Sequence, residues 1–228
     1  MAVAFVKNVG TSTSGNATTI AVTVPASGVA AGNTLVVRIA STADEAISGI
    51  ADTAGNTYTE WVPEILGNDN VFLYRCNVAS ALSSGNTITV TFSNKADAML
   101  GVDEFSGVST TEDGENSASG ASTTPSVAAT ISNAATLIVA NLEISAAAAD
   151  GFTEDADATG GASWVSLTTV PRSADIMRGA YKIATSAATQ TYNPTLGTSQ
   201  SWTVALASLV SSAPPADQIP FLVQARRV

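Results

Sequence analysis

An all-β fold is predicted by three features of the sequence: three Gly-Asn-Thr triplets, a strict two-residue alternation, and short runs that are apolar at every position. The triplets begin at Gly32, Gly55 and Gly85. Gly and Asn tolerate positive φ, and the Thr that follows starts a β-forming run, so each triplet reads as a turn that launches a strand. Alternation is clearest at Thr87-Ile88-Thr89-Val90-Thr91-Phe92, where Ile88, Val90 and Phe92 share one face and three threonines the other. By contrast, Ala98-Met99-Leu100-Gly101-Val102 and Leu137-Ile138-Val139-Ala140 are apolar on both faces, as expected in the middle of a packed sheet.

Taken in order, strands are expected at 2–8, 18–24, 34–41, 57–62, 70–76, 87–92, 98–105, 137–140, 163–170, 176–184 and 201–210. No segment carries a capped 3.6-residue apolar period, although the Ala-rich stretch 145–149 could make one helical turn. The two halves of the chain also repeat a plan. Leu35-Val36-Val37 matches Leu137-Ile138-Val139, Tyr74-Arg75-Cys76 matches Tyr181-Lys182-Ile183, and 98–105 matches 202–209. The prediction is a jelly-roll β-sandwich built from two Greek-key halves, about 1–108 and 126–212, forming one domain over 1–212. The polar, acidic, Gly/Ser-rich stretch 109–125 is expected to be an exposed crossover between them. Residues 213–228 are expected to form an extended C-terminal arm, stiffened at Pro214-Pro215.

Composition narrows the function. The chain has 228 residues, enough for a full β-sandwich core. Nine basic against nineteen acidic residues give a net charge of -10, which repels phosphate backbones and anionic membrane surfaces, so neither nucleic acid nor membrane is expected as a partner. Only Arg226 and Arg227 are adjacent among the basic residues. No stretch reaches the roughly 20 apolar residues that span a bilayer. The first ten residues lack the features of a secretory signal, so synthesis in a cytoplasm without export is expected. Cys76 is the single cysteine, and its apolar strand context predicts a buried, inert thiol.

Catalytic chemistry is scarce. There is no histidine, hence no His-based triad, acid/base or metal site, and neither a Gly-x-Ser-x-Gly elbow nor a Ser-x-x-Lys pair occurs. Asp103 and Glu104 are adjacent, but neighbours on a strand point to opposite faces and cannot flank one bond. The chain is therefore expected not to be an enzyme. Calcium is the only ion the loops suggest, at 52–56, at 67–70, and at Asp150 with Glu154, Asp155 and Asp157; all three read first as turns and solvated edges, so no cofactor is expected. Trp61, Trp164 and Trp202 could stack on sugars, yet Trp202 lies in step with Val204 and Leu206, and Trp61 and Tyr58 fall on opposite faces. Core packing is the expected role.

The arm is apolar at Ile219, Phe221, Leu222 and Val223 and basic at its end. It could dock on its own body or add to a neighbour. The neighbour is the preferred reading, which makes Ile219, Phe221, Leu222, Val223, Arg226 and Arg227 the candidate partner-binding residues.

The stretch Gly49-Ile50-Ala51-Asp52-Thr53-Ala54-Gly55-Asn56-Thr57-Tyr58, followed by Tyr74, by 85–92 and by Val102-Asp103-Glu104-Phe105-Ser106-Gly107-Val108, resembles β-sandwich modules of bacterial surface proteins and of tailed-bacteriophage structural proteins. The likeness covers about residues 15–210. With no export signal, it implies a virion: a non-enzymatic capsid decoration or cement protein on the virion surface, binding capsid or other virion proteins and forming a homo-oligomer. The competing readings are a glycan-binding adhesin domain of a tail or head fibre and a cell-surface carbohydrate-binding module.

Overall fold

The computed structural model describes residues 2–41, 46–66, 69–145 and 151–212, and the protein is an all-β sandwich. Fourteen strands are described: β1 (Ala4–Thr23), β2 (Thr34–Ser41), β3 (Ile47–Asp52), β4 (Thr59–Leu66), β5 (Asp69–Asn77), β6 (Thr87–Ser106), β7 (Val108–Ser122), β8 (Val127–Ile131), β9 (Thr136–Ile144), β10 (Val165–Ser166), β11 (Val170–Arg172), β12 (Asp175–Ala184), β13 (Ala188–Tyr192) and β14 (Gln200–Ser211). One large sheet has the order β1-β6-β2-β5-β4, with β3 also on β6. The other has the order β10-β12-β9-β14-β7, with β11 also on β12, and β8 pairs with β13 apart from both. Every pairing is antiparallel.

Each half keeps to its own large sheet, and the repeat is visible in the order: β1-β6-β2-β5 in the first, β7-β14-β9-β12 in the second. In the first half, β1 and β6 are each 20 residues long and their register slips between Ser14 and Thr19. The pair bends there and doubles back over its own sheet. A Cβ on Gly10 would sit 2.4 Å from Val22 Cγ1, so only glycine lets the two limbs of β1 approach this closely. In the second half separate strands do the same work: β7 and β14 stay in the large sheet while β8 and β13 form the small one. The sandwich expected from the sequence is present; the pairing gives two stacked sandwiches, and no described strand of one half enters the large sheet of the other.

Three apolar clusters follow from this layering. The first half packs Leu35, Val37, Ile39, Ile88, Val90 and Phe92 among others in its own core. The second packs Ile138, Ala140, Leu142, Trp164, Tyr192 and Trp202 in its own. Between the large sheets lies a shared core containing Val36, Ala40, Trp61, Leu73, Phe105, Leu137, Val139, Met177, Ala205 and Leu209. Across it β4 lies over β14 and β7, and β11 lies over β6 and β1. The two large sheets therefore meet back to back across this shared core.

Several sequence expectations are sharpened or corrected here. Gly32, Gly55 and Gly85 all have positive φ, and β2 and β6 start at Thr34 and Thr87, but β4 starts at Thr59, two residues after its triplet. The segments 2–8 and 18–24 fall largely within the single strand β1, and 87–92 and 98–105 within β6. The stretch 109–125, read as a crossover, is mostly a strand: β7 is largely exposed, as expected, but it is zipped to β14 from Ser122↔Gln200 to Val108↔Ser211. Strands β3, β8 and β13 were not anticipated. Of the three repeat matches, 98–105 with 202–209 keeps the faces aligned. The other two are out of step, because Leu35 and Tyr74 face the first half's own core, whereas Leu137 and Tyr181 face the shared one. A shift of one residue exchanges the faces of a strand. The arm 213–228 and the possible turn at 146–149 lie outside the described residues.

Candidate functional site

Among the described residues, a dense set of buried polar groups lies in the shared core. Arg38 on β2 is fully buried, and its Nε donates to Asp103 Oδ2 on β6 at 2.8 Å; Asp103 is equally inaccessible. Asn8 of β1 donates from Nδ2 to the other oxygen of Asp103 at 2.9 Å, and Arg38 Nη2 donates across the interface to the carbonyl of Thr168 at 3.1 Å. Two glycines make room for the guanidinium. A Cβ on Gly101 would lie 2.7 Å from Nη2, and one on Gly179, in the opposite sheet, 2.5 Å from Nη1. Beside it, Asn141 of β9 donates from Nδ2 to the carbonyls of Ile39 (2.9 Å) and Phe72 (3.3 Å) on the facing sheet. These polar groups lock one half to the other. Sequence reading did not single out Arg38, Asn141 or Gly179; an Arg inside an otherwise apolar strand was the available signal.

Asp103 and Glu104 point to opposite faces as expected. Glu104, also buried, accepts from Asn33 Nδ2 at 2.7 Å and from the backbone N–H of Ala30 at 3.0 Å, and pairs with Lys7 at 3.1 Å. Lys7 also donates to the carbonyl of Gly28. The carboxylate thus pins the turn that carries the first Gly-Asn-Thr triplet.

The stretch Asp52–Tyr58 forms a knot of hydrogen bonds around Asp52. Its Oδ1 accepts from the N–H groups of Ala54 (2.9 Å) and Asn56 (3.1 Å), and its Oδ2 accepts from Asn56 Nδ2 (2.9 Å) and Tyr58 OH (2.8 Å). Asn56 extends the knot to Ser80 through both ends of its amide. Burial would raise the Asp52 carboxyl, but the hydrogen bonds from Asn56, Tyr58 and Ala54 together outweigh it and hold the group below the usual carboxylate range. Tyr58 is pushed up by burial and by the Asp52 acceptor. Cys76 nearby is buried and its thiol is pushed up to about 12, chiefly by desolvation, so thiolate chemistry is suppressed.

The loops considered for calcium show a similar use of oxygen. Asp52 is surrounded by donors, whereas a cation needs free oxygens. Asp155 accepts from the N–H groups of Asp157 (2.7 Å) and Asn193 (2.8 Å). Asp157 accepts from Thr159 and from the fully buried Lys182 at 3.1 Å; these contacts outweigh its desolvation and lower its pKa. Glu154 accepts from the Ser166 hydroxyl. Asp150, Gly67 and Asn68 lie outside the described residues, as does the side chain of Asp69. All three tryptophans are buried: Trp61 in the shared core, Trp164 and Trp202 in the second half's own core, with Tyr58 packed on the opposite side of β4 from Trp61. They do not form a sugar platform.

The candidate arm residues Ile219, Phe221, Leu222, Val223, Arg226 and Arg227 lie outside the described residues. The place where the arm leaves the body is described. Ser212, the last described residue, donates its N–H to Gly107 O at 2.8 Å, and Gly107 touches the backbone of Ala2, just before β1 begins. No protein family, curated protein or solved structure matches this chain.

Proposed function

We propose that this chain is a non-enzymatic structural protein of a phage virion, a capsid decoration or cement protein that binds between capsid subunits. One observation carries the mechanical half of that reading: the carboxylates that could have done chemistry, Asp52, Asp103, Glu104, Asp155 and Asp157, are each engaged by donors that hold turns and sheets in place. The acidic, Ser/Thr/Asn-rich surface suits a protein on the outside of a particle. The resemblance of the 49–58 and 102–108 motifs supplies the virion half. Cementing works by mass action: a protein that binds only the closed shell raises the free energy of opening it, by about 2.7 kcal/mol per site at a hundredfold excess over Kd. In this reading Ile219, Phe221, Leu222 and Val223 are the residues offered to the shell for anchoring.

The test is co-sedimentation of the purified protein with capsids that lack it, followed by heating. Bound protein is expected to raise the temperature at which the shell opens, and deletion of 214–228 is expected to weaken binding. A protein that stays in the supernatant and runs as a monomer would count decisively against the proposal.

A further inference from the structure

The described surface contains few large exposed apolar side chains, and two of them converge. Phe5, Val6 and Val165 are the large hydrophobics that stand out, with Phe5 36 % and Val165 46 % exposed. Phe5 on β1 stacks on Tyr181 of β12, with ring centroids 5.3 Å apart and planes 19° apart, and both rings sit edge-on to Phe105. Val165 is the cross-strand partner of Tyr181. These residues line the open side of the seam between the large sheets, where the edge strands β1 and β10 overhang the shared core. Among the described strands, β1 has a neighbour on one side only, β6. An apolar ledge therefore runs beside a strand edge that no described strand covers, the arrangement that accepts an added strand.

We infer that in the free protein this ledge is covered by the chain's own C-terminal arm, with Ile219, Phe221 and Val223 packed on Phe5, Tyr181 and Val165 and the backbone added to the free edge of β1. Three observations favour this occupant. First, the arm starts in the right place: Ser212 is bonded to Gly107, which lies against Ala2, and Phe5 is three residues further, about 10 Å along an extended chain. Second, the length fits. Residues 213–218 span about 20 Å when extended, enough to reach the ledge and turn onto it, and so short a tether gives an effective concentration in the millimolar range. Third, the pattern fits. Ile219, Phe221 and Val223 recur at two-residue spacing, so one face of an extended arm is apolar, and Pro220 lacks only a donor that an outer edge can do without. This inference does not depend on the virion reading.

Hydrogen exchange of the β1 backbone amides in the segment 4–8 tests it directly. In the full chain those on the outer edge should be protected. Deletion of 214–228 should speed their exchange at least tenfold, as should Phe221→Asp in the full chain. A peptide of residues 214–228 added to the truncated protein should restore protection, and Val165→Asp, on the exposed side of the ledge, should abolish that rescue while the exchange of β9 shows the core intact. Equal exchange with and without the arm would overturn the inference. So would protection that rises with protein concentration alongside a dimer in light scattering, because the arm would then lie on a second copy.

Discussion

Arg38 is held where no water reaches it, between a carboxylate on its own sheet and a carbonyl on the other. A charge so placed is tolerated only while it is paired, and removing one partner of such a pair costs about 3–5 kcal/mol because the other is left buried and uncompensated. Asp103→Ala should therefore destabilise the protein by about that amount in urea unfolding, whereas Arg38→Met combined with Asp103→Leu should recover most of the loss. Gly179→Ala should also be costly, since its Cβ would sit 2.5 Å from the guanidinium. If Asp103→Ala cost less than about 1 kcal/mol, the pair would be no different from a surface ion pair. Asp103 could be seen in the sequence only as half of an acidic doublet; that its partner is Arg38, 65 positions away, depends on β2 and β6 lying side by side.

Turns carry much of the specification at the scale of elements. The Asp52 knot joins the end of β3 to the approach to β4 and, through Asn56, to the loop before β6. Its carboxyl is held below the ordinary Asp value of about 4. A depressed pKa contributes stability that is fully present above that ordinary value and is lost as pH falls through the depressed one. The difference in Tm between the native protein and Asp52→Ala should therefore be constant above about pH 4 and shrink as pH falls below it. A difference that ignored pH over that fall would mean that the charge of Asp52 is not what ties the turn. The sequence made this turn legible, since Gly-Asn after an Asp has few other readings. It concealed β7, because a Ser/Gly/acidic stretch has poor strand propensity, and only pairing with β14 makes it a strand. It also hid the continuity of β1, whose polar middle, 10–16, looks like a gap until β6 lies beside it.

For the whole molecule, all four tyrosines are shifted upward, each chiefly by burial, with Tyr74 and Tyr58 further raised by the acceptors Glu60 and Asp52. A phenol raised in the folded state contributes stability below its unfolded value, near 10, and that contribution is lost as pH climbs towards the folded value. The protein should stay folded with little tyrosinate absorbance as pH passes 10, then ionise its tyrosines together as it unfolds. Measured as 295 nm absorbance beside circular dichroism, the two transitions should coincide. Ionisation of most tyrosines near pH 10 in a still-folded protein would contradict their burial. The seam on which Arg38 and Tyr181 lie is also a property at this scale, produced by two similar halves meeting back to back.

The sequence by itself determined that the chain is all-β, where its clearest turns fall, and which strands are apolar on both faces, because positive-φ residues and two-residue periodicity act locally. It also carried the repeat, in the recurrence of strand order. What only the tertiary structure decided is which face of each doubly apolar strand belongs to which core. Alternation says that Leu35 and Val36 point opposite ways, but not that Leu35 enters the first half's own core and Val36 the shared one. That choice is made by the sheet that arrives on the other side.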